Sequence, residues 1–135
     1  MISSYNITAQ EVAINGPLTF STDRILTGCT AIRNGNTFQL NKPGYYYVTF
    51  NASGAATAVV GDVTVELQDN GVTVPGAQAT VLPAAINEAV SVAFATIIRV
   101  PPSCCAVDNT ARLTVVNTGV AATYSNVNVN ITKLC

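Results

Sequence analysis

Histidine and tryptophan are absent from the 135 residues, and there is a single methionine. Without histidine the usual general base and the commonest metal ligand are missing, so Ser-His-Asp and Cys-His catalytic sites are excluded. Charge is scarce too. Six Lys and Arg face seven Asp and Glu, so charged residues are 10% of the chain, where soluble domains carry about 25%. No basic run occurs, and nucleic acid is not expected as a partner because phosphate binding needs clustered Lys and Arg. No stretch of 18 or more apolar residues occurs, so no membrane insertion is expected. The opening Met-Ile-Ser-Ser-Tyr-Asn has no charged segment followed by an apolar one, so no secretory signal is expected. No segment sustains a 3.6-residue period, which leaves little room for helix.

What remains is apolar and extended. Hydrophobic residues make up 49% of the chain. The organising stretch is 41–51, Asn-Lys-Pro-Gly-Tyr-Tyr-Tyr-Val-Thr-Phe-Asn. Pro43 and Gly44 turn the chain. A strand then puts Tyr45, Tyr47 and Thr49 on one face and Tyr46, Val48 and Phe50 on the other. A half-wet strand alternates apolar with polar, whereas this one is large and mostly apolar on both faces. One face can pack on an opposing sheet. With no helix to cover the other, the cheapest cover is a second copy of the chain.

Turn signals recur every ~8–12 residues, as in sandwiches and jelly rolls. Val12 and Ile14 alternate up to Asn15-Gly16-Pro17, which turns into Leu18 and Phe20. Cys29 and Ile32 are assigned to a short strand ending at the hairpin signal Asn34-Gly35-Asn36. Ala52–Ala58 reads as a small-residue loop. Val63, Val65 and Leu67 share a core face, with Asp62, Thr64, Glu66 and Gln68 wet on the other. Asp69-Asn70-Gly71 closes a hairpin with Val72–Val74. Val90–Val100 reads as a second interior strand, stopped by Pro101-Pro102. Ala55–Val60 and Pro83–Ala89 allow a helical turn at most. Leu113 and Val115 mark the penultimate strand. Asn126-Val127-Asn128-Val129-Asn130-Ile131 then alternates strictly. One domain over 1–135 is expected, with a short N-terminal arm over about residues 1–8.

Catalysis has little to stand on, and no enzyme is expected. Asp62 and Glu66 would lie roughly 13 Å apart at about 3.3 Å per residue, wider than glycosidase carboxylates. Calcium at a loop apex through Asp23, Asp62, Asp69 or Asp108 lacks a dense acidic loop, so no metal and no cofactor are expected. Cys29, Cys104, Cys105 and Cys135 match no zinc spacing. Disulfides are favoured over free thiols, Cys104 and Cys105 each reaching elsewhere, to Cys29 and to Cys135. The sequons at Asn6, Asn51 and Asn130 carry no weight in an Asn- and Thr-rich chain without a secretory signal.

Phe38-x-Leu40 followed by Pro43-Gly44-x-Tyr46-x-Val48-x-Phe50 resembles the signature strand of the trimeric jelly rolls of the tumour-necrosis-factor and complement globular-head type. Bacterial relatives of that family sit on collagen-like surface proteins and in phage virions. The likeness continues through Val63–Val74 and the closing strand Tyr124–Leu134. It implies an all-β, ten-strand, two-sheet sandwich that forms a homotrimer around an apolar axis. It also implies a binding or structural role. Tyr45, Tyr46, Tyr47, Val48 and Phe50 would form the core strand and trimer interface, and Asn126, Asn128 and Asn130 would meet their symmetry mates near the axis. The expected setting is a phage particle (capsid decoration, head fibre or host contact) or a bacterial surface. Partners would be the chain itself, virion proteins, or a host surface glycan or protein. The competing expectation is a lectin or small carbohydrate-active protein on the same frame, for which Tyr5 and Tyr124 are the remaining tyrosine candidates.

Overall fold

The computed structural model describes residues 1–26, 31–101 and 111–134. Its elements are strands, and no helix occurs among the described residues. In chain order they are β1 (Ile2–Asn6), β2 (Gln10–Val12), β3 (Gly16–Pro17), β4 (Thr22–Leu26), β5 (Ala31–Asn34), β6 (Thr37–Leu40), β7 (Gly44–Ala56), β8 (Val63–Asp69), β9 (Val72–Val81), β10 (Val90–Val100), β11 (Ala111–Asn117) and β12 (Ala122–Lys133). Two antiparallel sheets result. The first, sheet A, runs β10-β7-β12-β1-β4, with β2 beside β12. The second, sheet B, runs β5-β6-β11-β8-β9, with β3 beside β11. Among the described residues the two main paths hold five strands each, the number that the resemblance implies, and the short β2 and β3 stand beside them.

The period-2 pattern decides which faces meet. Tyr46, Val48 and Phe50 of β7 and Val127, Val129 and Ile131 of β12 are buried. They pack into one core with Val63, Val65 and Leu67 of β8 and Leu113 and Val115 of β11. Phe50 stacks on Phe94 of β10 at 5.1 Å between centroids, and Phe20 meets Phe38 edge-on at 5.2 Å. The Asn70-Gly71 turn has φ of 51° and 83°, the left-handed pair that a two-residue hairpin turn requires.

Several expectations are corrected. Ala52–Ala58 is not a loop, because β7 continues to Ala56. Its small residues are there because a ring lies over them: a Cβ at Gly54 would come within 3.0 Å of the Tyr124 ring. Neither Ala55–Val60 nor Pro83–Ala89 makes a helical turn; the first begins in β7 and the second is bends and turns. The strand after the Asn70-Gly71 turn runs to Val81 rather than Val74, with an irregularity between Thr73 and Gln78 where Gly76 takes φ of 82°. That irregularity brings Gln78 and Thr73 over Glu66, which is buried instead of wet.

Val90–Val100 is not interior: among the described residues it pairs with β7 alone, at the edge of sheet A. Residues 2–6 are no arm: β1 lies between β12 and β4. The expected strand around Cys29 and Ile32 is β5, which holds Ile32. All four cysteines, and with them the disulfide expectation, lie outside the described residues.

Candidate functional site

The feature that the packing leaves uncovered is the outer face of sheet A. Its rows follow from register. Tyr47 lies between Ile97 of β10 and Thr132 of β12; Thr49 lies between Ala95 and Asn130; Asn51 lies between Ala93 and Asn128. One end of the face is apolar, with Tyr45 46%, Tyr47 42% and Ile97 56% exposed. Its middle is polar. There Thr49, Asn51, Ala93, Ala95, Asn128 and Asn130 border a shallow depression of about 330 Å³. Alanine on β10 keeps that side low, so an approaching surface can come close to the sheet.

The strand expected at an interface thus divides by face. Tyr46, Val48 and Phe50 are core, and the Tyr46 hydroxyl donates to the Lys42 carbonyl at 2.6 Å. Burial pushes that hydroxyl's pKa up. Tyr45 and Tyr47 face outward. Asn128 and Asn130 share their face, and Asn130 Nδ2 donates to Thr49 Oγ1 at 3.4 Å. Asn128 Oδ1 is buried with no hydrogen-bond partner, the sole such atom found among the described side chains. A buried unmade hydrogen bond costs about 1–3 kcal/mol. Asn126 departs from the series. It is exposed, with φ of 52°, inside a bulge where pairing shifts between Ser125 and Asn128. Asn tolerates that left-handed conformation better than most residues.

Two polar networks escaped sequence reasoning. Asn117 is fully buried. Its Nδ2 reaches the carbonyls of Val12, Ala13 and Val120, and its Oδ1 accepts from Tyr124 Oη at 2.9 Å. The second links the sheets. Arg33 of β5 donates to Asp23 of β4 through Nε at 2.6 Å and Nη2 at 3.0 Å, and Ser4 Oγ donates to the same carboxylate. The Arg33 hydrogen bonds hold the Asp23 carboxyl below the usual range, against partial burial and aided by Ser4. Asp23 is therefore engaged by a cation, and no group of three His, Cys, Asp or Glu among the described residues could hold a metal. Neither further tyrosine is free for sugar stacking: Tyr124 is buried, with its hydroxyl pKa pushed up by desolvation, and Arg24 lies 4.9 Å above the Tyr5 ring. Among the described residues no helix is long and apolar enough to cross a membrane.

No known family profile matches the sequence, and no curated protein matches it. Solved structures do. Murine APRIL at pH 8.5 superposes with a TM-score of 0.69 at 10% identity, over 98% of this chain and 97% of that one. Murine APRIL at pH 5.0 gives 0.68 at 12% identity, with 98% of each chain covered. The globular domain of zebrafish complement 1qA protein gives 0.64 at 13% identity, over 95% and 92%. At these identities the likeness is one of fold. The chain is a TNF-like jelly roll, the fold that the Phe38–Phe50 motif resembles.

Proposed function

We propose that the chain is a non-enzymatic structural or binding module that works as a homotrimer, its copies meeting through the outer face of sheet A. The carrying observation is that face itself. Tyr45, Tyr47 and Ile97 stand exposed beside low alanines, and Asn128 Oδ1 waits buried without a donor. A neighbouring copy covers the first group and supplies amide donors to the second. The fold adds support, since TNF and complement globular-head folds usually assemble as homotrimers. The scarcity of charge fits as well, because a monomer with this composition has little to clothe that face.

The reading extends to display on a phage particle, as capsid decoration, head fibre or host contact, or on a bacterial surface. That setting rests on the resemblance of the Phe38–Phe50 motif. Light scattering should give about 42 kDa, three times the 14.0 kDa of the chain. Tyr47→Asp should dissociate the particle while leaving each copy folded, because Tyr47 contributes to no core. Asn128→Leu should change trimer dissociation. A monodisperse 14.0 kDa species at micromolar concentration would refute the trimer. Immunogold microscopy of particles or cells from the source tests the setting, and a glycan array tests the lectin alternative.

A further inference from the structure

The cations of this molecule are sorted along its length, and the acids less strictly, since Asp69 stands among the cations of one end and accepts from the Arg112 backbone N at 3.3 Å. Arg24 and Arg33 sit mid-strand, over Tyr5 and against Asp23. The other four cations, Lys42, Arg99, Arg112 and Lys133, lie at the end where β7 and β11 begin and β10 and β12 stop. The opposite end consists of the loops 13–15, 57–62, 82–89 and 118–121. Backbone hydrogen bonds knit these loops into one surface. Asn15 N donates to Asn117 O at 2.7 Å, Asn87 N to Ala56 O at 2.8 Å, Val120 N to Asp62 O at 3.0 Å and Thr57 N to Ala121 O at 3.3 Å. This end carries Glu11, Asp62 and Glu88 and no cation. It also exposes Ile14, Val59, Val60, Leu82 and Ile86, with Leu82 at 67%. Scattered apolar side chains need no explanation, but five on interlinked loops suit an association surface. The basic end has apolar side chains of its own, exposing Val72 and Leu134.

We propose that the acidic, apolar end docks on the basic end of a second copy of this chain, so that copies stack head to tail. Charge complementarity selects this occupant. Pairing two like ends would set Glu11, Asp62 and Glu88 against their own counterparts. An anionic lipid surface meets the same repulsion. Head-to-tail contact joins two different patches, so it repeats without closing and builds columns. The contact does not depend on the trimer; where the base particle is a trimer, the trimer is the repeating unit.

Sedimentation velocity from micromolar to millimolar protein tests this. Mass should rise in whole multiples of the base particle, more weakly at about 1 M salt than at about 0.01 M, where the screening length is roughly ten times longer. Two blocked chains then separate the patches. Val60→Lys with Leu82→Lys blocks the apolar end, and Lys42→Glu with Lys133→Glu blocks the basic end; all four side chains are exposed. Each variant alone should stay at the base mass. Their equimolar mixture should form particles of twice that mass and nothing larger. The inference is overturned by a base mass that stays constant up to millimolar protein, by unblocked association of either variant alone, or by a mixture that does not pair. Capture by phosphatidylcholine vesicles without self-association would also overturn it. The base mass itself, about 14 or 42 kDa, reads out the trimer separately.

Discussion

Asn117 stands where the alternation of β11 asks for an apolar side chain, two residues beyond Val115 and four beyond Leu113. Its amide replaces hydrophobic packing with a junction between β2, β11 and β12. Tyr124→Phe removes one donor to that junction and should cost about 1 kcal/mol. Asn117→Ala strands the Val12 and Ala13 carbonyls together with the Tyr124 hydroxyl, and should cost about 2–4 kcal/mol. Denaturant titration of both variants checks the order, and equal costs would count against the junction. Sequence reasoning passed over this residue, although an Asn closing a Leu-x-Val-x-Asn series is the signal that could have found it.

The Asp23–Arg33 pair was not legible. Its partners are ten residues apart, on different sheets, and nothing local marks them. Because the folded-state pKa of Asp23 is depressed, the stability it adds is present above the ordinary carboxylate value of about 3.9 and is lost as pH falls through the folded value. The stability gap between the native chain and Asp23→Asn should therefore hold from pH 5 to 8 and shrink below about pH 4. A gap that grows on acidification would contradict the geometry.

Between β7 and β12 the deciding contact is that of a missing side chain. Gly54 leaves room for the Tyr124 ring, and its Cβ would also come within 3.2 Å of Val63. Gly54→Val should therefore destabilise by about 1–3 kcal/mol through overpacking. Thermal unfolding measures this, and partial recovery in Gly54→Val with Tyr124→Leu would tie the cost to the ring. The same contact explains why this half of β7 was misread. Small residues look like loop in isolation, and the large partner that makes them strand lies some seventy positions on. By contrast, the first half of β7, the Asn70-Gly71 hairpin and the Val127–Ile131 alternation were plain, because local turn chemistry and period 2 determine them. Val90–Val100 shows the limit of pattern. Periodicity reports which faces are covered and says nothing of how many strands lie alongside.

At the scale of the whole molecule, sheet A is assembled around β12. That strand pairs with β7, β1 and β2, all of which precede it in the chain. A chain ending at residue 121 keeps the whole of sheet B but loses the centre of sheet A. It should show no cooperative unfolding transition by circular dichroism, and a sharp transition would show that β12 is dispensable. On the ribosome, sheet A therefore cannot close before β12 has been made. Until residues 122–133 emerge, β1 and β7 present open hydrogen-bonding edges that invite pairing with other nascent chains. Sheet A waits for β12, and crowded nascent chains that expose those edges are open to misassembly.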